Sequence, residues 1–156
     1  MSKLILIRHA KSDWSGNVND LQRGLNKRGY NSCRVISKEL KKRINKPDLF
    51  LISPALRAKL TYENIFLNWD DKDNNLFVEE DLYFASIEQI KKKLISKVFG
   101  FSTVVILGHN PILNLLMYEL TTKGHNKLPT NLVTCGVVVI ESVSYTHLRA
   151  HETSLH

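Results

Sequence analysis

Cysteine is too scarce and too scattered in this chain of 156 residues to organise anything: Cys33 falls in a helical pattern and Cys135 in a strand pattern. That spacing gives neither a disulfide framework nor a set of metal ligands, and two buried thiols are expected instead. Glycine and proline are also few, seven and four, and stand mostly at element boundaries, which argues against long disorder. No apolar run approaches membrane-spanning length, and Leu4–Ile7, ahead of Arg8, is too short for the core of a signal peptide. No internal repeat is visible. The expectation is one compact domain, cytoplasmic, monomeric, with no membrane partner.

Charge is plentiful but one-sided. Twenty-two Lys and Arg against fifteen Asp and Glu give a net charge of +7, which suggests anionic ligands. The runs Lys41-Lys42-Arg43 and Lys91-Lys92-Lys93 nevertheless sit at helical positions without interleaved aromatics, so they read as solvated faces rather than a nucleic-acid surface.

The hydrophobic pattern alternates strands with helices. Leu4–Ile7, Leu49–Ile52 and Thr103–Leu107 are short, β-branched-rich runs of the kind found in strands covered on both faces. Leu76–Val78 is a weaker strand, and Val133–Ile140 is the last one read from this pattern. Between them, helical spacing marks Cys33, Ile36, Leu40 and Ile44; Ala58, Tyr62, Ile65 and Trp69; Ile87, Ile90, Leu94 and Val98; and Leu113, Leu116 and Leu120. Ser53-Pro54 and Asn110-Pro111 each resemble a cap followed by a first-turn proline, and Ser86 an N-cap. Asn19-Asp20 reads as turn chemistry. The fold class that follows is α/β, three-layered, with a mostly parallel sheet flanked by helices.

Chemistry gathers at the strand ends, where open α/β sheets place their ligand crevice. The first strand runs into Arg8-His9, Arg57 lies one turn into the helix after the second, and His109 follows the Thr103–Leu107 strand. Two guanidiniums beside two imidazoles, flanked by helix N-termini, suit a multiply charged oxyanion such as a phosphoryl group. A metal site fits poorly, since fixed Arg charges oppose a cation and no carboxylate is tied to the motif. No cofactor is expected.

The ordered set LIRHAKS, RGLNKRG, SPALRAKLT, LGHNP and TCGVV resembles the histidine phosphatase superfamily, and within it the small SixA-type phosphohistidine phosphatases. The resemblance covers Lys3 to about Glu141. It implies a phosphoglycerate-mutase-like fold, no metal, and a covalent phosphohistidine intermediate on His9. It further implies that Arg8, Arg57 and His109 hold the phosphoryl oxygens, with Arg23 as an added phosphate or substrate contact. A loop-anchoring ion pair is an equal reading of Arg23. On this resemblance the substrate is a phosphorylated protein, and Thr61 is a packing residue. The alternatives are a small-molecule phosphate monoester phosphatase or mutase, and a phosphate-binding module without turnover.

Two departures stand out. Many relatives in the wider superfamily place an acidic proton donor where alignment here gives Phe84, although Glu79, Glu80 and Asp81 lie close by. From residue 143 onward the string resembles a translated sequencing-library adapter. The expectation is therefore a domain over 1–142, truncated at its C-terminus, followed by a non-native tail over 143–156 that packs little and leaves the last strand as an unpaired edge.

Overall fold

The computed structural model describes residues 3–69, 75–84, 86–98, 100–121, 131–141 and 145–150. The strands are β1 (Lys3–Arg8), β2 (Leu49–Ile52), β3 (Leu76–Val78), β4 (Thr103–Gly108), β5 (Val137–Glu141) and β6 (Tyr145–Leu148), and the runs of β1, β2 and β4 are buried as their pattern predicts, whereas β3 is exposed. They form one sheet in the order β3-β2-β4-β1-β5-β6. The pairs β3–β2, β2–β4 and β4–β1 are parallel, while β5 runs antiparallel to both β1 and β6.

The helices are α1 (Lys27–Arg43), α2 (Leu56–Phe66), the short α3 (Asp81–Phe84), α4 (Ile87–Val98) and α5 (Ile112–Thr121). Because successive side chains of a strand point to opposite faces, each inner strand feeds two cores. Ile5, Ile7, Phe50, Ile52, Val105 and Leu107 pack with Cys33, Ile36 and Leu40 of α1 and Ala58, Tyr62 and Ile65 of α2. Leu4, Leu6, Leu49, Leu51, Val104 and Ile106 pack on the other side with Leu82, Ile90, Leu113, Leu116 and Met117. The three-layer expectation holds, and the sheet is mixed but mostly parallel.

Local signals account for most boundaries. Asn26 caps α1 by accepting from the Gly29 N–H at 2.8 Å, and the basic residues Lys41–Arg43 occupy its last turn, where they suit the negative end of the helix dipole. Ser86 and Gln89 form a reciprocal cap at the start of α4. The side chains of Leu94 and Val98 lie outside the described residues, as does the loop around Gly124 and Pro129. Leu120 is exposed rather than part of the stripe of α5, whose buried residues are Leu113, Leu116 and Met117. Gly29 is required by close approach: a Cβ there would stand 2.3 Å from the Lys11 carbonyl oxygen.

The expectation of an unpaired last strand and a tail that packs little is corrected over residues 145–150. β5 is not an unpaired edge, because Tyr145–Leu148 pairs with it from Ile140↔Tyr145 to Val137↔Leu148. Leu148 is buried in the same core as Ile5 and Ile7, and Ala150 packs against that core; Leu155 lies outside the described residues. The physical reason is the edge itself. Unpaired N–H and C=O groups on β5 recruit an extended segment, and a strand that ends on a leucine can complete the apolar face opposite Val137. Leu148→Ala should therefore destabilise the domain by about 3 kcal/mol, a fall in Tm of roughly 6–12 °C. An unchanged melting curve would mean that β6 is not docked in solution.

Candidate active site

Arg8, His9 and His109 hang on the sheet, while Arg57 sits in the first turn of α2 and Arg23 just after the turn at Asp20–Gln22. Arg8 ends β1 in register with Gly108 at the end of β4, and the His9 N–H donates to the Gly108 carbonyl at 3.0 Å. The loop is held from the other side as well, since the Cys135 N–H donates to the Arg8 and His9 carbonyls at 3.1 and 3.0 Å. Cys135 takes a left-handed φ of 58° in doing so. Thr61 is more than packing. Its hydroxyl accepts from the Ala10 N–H at 2.9 Å and donates to the Arg57 carbonyl at 2.7 Å, tying the β1 loop to α2.

Arg8, His9, Arg23, Arg57 and His109 all line one open cavity of about 330 Å³, so the five candidates read from separate parts of the chain converge. The His9 and His109 rings lie 5.1 Å apart, centre to centre. His9 Nδ1 is 2.7 Å from the Ala10 carbonyl oxygen, which can only accept, so Nδ1 carries the proton and Nε2 keeps a free lone pair. Burial pushes His9 down to about 4, with the Arg57 and Arg8 charges adding to the effect against the opposing Ala10 hydrogen bond. Desolvation is thus the main cause, ahead of the neighbouring positive charge. Burial, then His9 and Arg57, push His109 to about 3. Both imidazoles are neutral at physiological pH.

A pH profile follows with a definite sign. A nucleophilic His9 protonates only as pH falls toward about 4, so activity governed by it should stay level from neutral pH to about 5 and drop below that. Stability should behave similarly. Between about 4 and the usual 6.5 the unfolded chain binds protons that the folded His9 refuses, so its contribution is complete above 6.5 and is lost as pH falls through that window. Rate and Tm measured from pH 4 to 8 check both, and a rate maximum below pH 5 would contradict the neutral nucleophile.

The guanidiniums leave donors unused. Arg8 Nη1 donates to the Leu132 carbonyl at 3.1 Å, yet Arg8 Nε is buried without a partner, and so is Arg57 Nε. A buried N–H without a partner is costly, and two of them on arginines that line the cavity leave hydrogen-bonding capacity that the described residues do not satisfy.

Three residues read otherwise from the sequence belong to the site. Ser53 does not cap α2, whose N-cap is Ala55; its hydroxyl is 2.6 Å from His109 Nε2 and 3.2 Å from the Ala55 N–H that it accepts. Asn110 is not a helix cap either, since its amide donates to the Leu132 carbonyl at 2.8 Å and bridges α5 to the segment before β5. Asp20 is the third. Its main-chain oxygen and carboxylate accept from Arg57 at 2.7 and 2.9 Å, the carboxylate accepts from Arg23 at 2.8 Å, and Tyr83 donates its hydroxyl to it. Arg23 therefore makes the anchoring ion pair and lines the cavity too, with its guanidinium carbon 3.6 Å above the Trp14 ring.

Phe84 is exposed at the end of α3, and the acidic cluster beside it turns away: Glu79 and Asp81 both pair with Lys93. No group of His, Cys, Asp and Glu side chains suited to a metal occurs among the described residues, and no helix among them is long and apolar enough to cross a membrane.

An α/β sheet presenting two imidazoles and a cluster of arginines at its strand ends is the architecture of the histidine phosphatase fold, and comparison with solved structures shows that likeness. A structure assigned to the phosphohistidine phosphatase SixA of Agrobacterium tumefaciens matches with a TM-score of 0.80 and 25% identity, over 94% of this chain and 95% of that one. A protein histidine phosphatase SixA complexed with tungstate matches at 0.81 and 18% identity, over 96% and 98%. The α-ribazole phosphatase of Shigella flexneri matches at 0.64 and 16% identity, over 89% and 90%. No family model and no curated protein sequence matches the chain.

Proposed function

We propose that this chain is a phosphohistidine phosphatase that hydrolyses a phosphoryl group from a protein histidine through a covalent intermediate on His9. The observation that carries the proposal is the pairing of a free Nε2 lone pair on His9 with the partnerless, buried Nε donors of Arg8 and Arg57. In the first step His9 Nε2 forms a bond to phosphorus as the phosphorus–nitrogen bond of the substrate breaks; with the second ring nitrogen of the substrate histidine protonated, the electron pair leaves on a neutral imidazole. Arg8, Arg57 and His109 receive the charge on the phosphoryl oxygens. Water then attacks phosphorus as the bond to His9 Nε2 breaks and its electron pair returns to Nε2, and with one proton given up to solvent neutral His9 and hydrogen phosphate are released.

The leaving group favours phosphohistidine over a monoester. An alkoxide needs a proton donor, but none of the described residues lining the cavity is Asp or Glu. Asp20, the carboxylate bonded to two of the lining arginines, is held far below the usual carboxylate range, first by the Tyr83 hydroxyl and then by Arg23, so it is not an acid. A phosphohistidine protonated on its second ring nitrogen releases a neutral imidazole, which leaves without one. The SixA likenesses agree with this choice, whereas the α-ribazole phosphatase likeness favours a small monoester as the second reading.

The test is a comparison of kcat/KM on a phosphohistidine peptide and on phosphoserine and p-nitrophenyl phosphate. A preference of at least about tenfold for the phosphohistidine peptide is expected, and the reverse order would give the function to a monoesterase. Turnover should be indifferent to chelators, because Arg8, Arg57 and His109 supply the positive and hydrogen-bonding field that a cation otherwise would. Loss of activity in EDTA with recovery on adding a divalent ion would overturn that assignment.

A further inference from the structure

Asp20 does something that neither a turn nor a loop anchor requires. It heads a single exposed turn of 3₁₀ helix, Asp20–Gln22, with no buried residue of its own, yet it is bonded to Arg57, Arg23 and Tyr83 together. The geometry at Arg57 is the informative part. Nη1 donates to the Asp20 main-chain oxygen and Nη2 to its carboxylate, so Asp20 occupies the end-on fork of the guanidinium. Nε–H belongs to a different edge and has no partner. Asp20 thus holds Arg57 by one edge, while Nε on the other has no partner among the described residues.

The charge balance follows the same arrangement. Arg8, Lys11, Arg23 and Arg57 all line the cavity, and Asp20, about half exposed and bonded to two of these arginines, cancels part of their positive charge. A ligand with a second anion beside its phosphate finds both the fork of Arg57 and an N–H of Arg23 already taken, and meets a carboxylate of its own sign.

We propose that Asp20 is a positioning and specificity-determining residue: it sets the Arg57 edge that faces the phosphoryl group and rejects phosphorylated ligands that carry a carboxylate next to the phosphate. The proposal rests on reading the cavity as a phosphoryl site and deepens it, since a phosphorylated histidine side chain has no such carboxylate while phosphoserine and 3-phosphoglycerate do. Like charges at the edge of a partly exposed site should separate the two ligand types by on the order of tenfold in affinity, less in high salt.

The experiment is isothermal titration in the His9→Ala background, so that nothing turns over, with glycerol 2-phosphate and 3-phosphoglycerate as probes. With Asp20 present, glycerol 2-phosphate should bind about tenfold more tightly, and the ratio should narrow in 0.5 M salt. Asp20→Asn should bring the ratio close to one, chiefly by tightening 3-phosphoglycerate, whereas Asp20→Glu should keep it. A merely structural Asp20 would weaken both probes equally in Asp20→Asn and leave the ratio unchanged, which overturns the proposal. Should Asp20→Asn not fold, a salt-independent ratio with Asp20 in place overturns it instead. If neither probe binds to any variant, the phosphoryl reading of the cavity falls as well, so the two failures are distinguishable.

Discussion

His9→Ala should lose on the order of 10³-fold or more of turnover while keeping its fold, by analogy with other covalent nucleophiles. The side chain is buried between the ends of β1 and β4, but the loop that carries it is held by main-chain bonds to Gly108 and Cys135, which alanine retains. What disappears is the imidazole, with its free Nε2 lone pair and its Nδ1 hydrogen bond to the Ala10 carbonyl. In the unsubstituted chain, rapid quenching during turnover should trap phosphate on His9 in an alkali-stable, acid-labile form. Turnover without that adduct, or full activity in His9→Ala, would remove the nucleophile from this position.

The second large effect is expected at Arg57, where Arg57→Lys keeps the charge and still costs about tenfold to a hundredfold in kcat/KM. The guanidinium has two tasks that need its planar shape. It donates to the Asp20 main-chain oxygen and carboxylate through one edge, and in the proposed reaction it lends its fixed charge and remaining N–H groups to the phosphoryl oxygens. An ammonium is a single point and cannot span both. Lys92→Ala, on an exposed face of α4, should change activity less than twofold, as surface charges do. If Arg57→Lys and Lys92→Ala behaved alike, Arg57 would be an ordinary surface charge and the site would lie elsewhere.

Why these residues could be found in the sequence, and others not, follows from the range of the interactions involved. Arg8, His9 and His109 announce themselves because each ends a short apolar run, and a buried parallel strand leaves little choice about where its last residue emerges. Arg57 is nearly as plain, one turn into the helix after β2. Asp20 was hidden by its company: Asn19-Asp20 has the composition of a turn and does form one, and its partners Arg57 and Tyr83 lie far along the chain. Ser53 was misread for a similar reason, since serine before proline suits a helix start, whereas its hydroxyl is spent on His109 instead. The strand β6 has almost no strand signal of its own. Its place is decided by the open edge of β5, which is a property of the sheet and not of the residues Tyr145–Leu148.

The in-register pairing of β1 with β4 has a consequence for how such a site tolerates change. Neighbouring strands stand about 4.8 Å apart in any sheet, and His9 and His109 are carried by the ends of two neighbours, with ring centres 5.1 Å apart. Their separation is thus gauged by backbone hydrogen bonding, as the spacing of rungs is fixed by a ladder's frame. Insertions in the surrounding connections, such as the stretch between β1 and α1 that carries Asp20 and Trp14, can reshape what enters the cavity without altering that gauge. Reaction and selectivity then drift independently along the chain, the first anchored in the lattice of the sheet and the second in its loops.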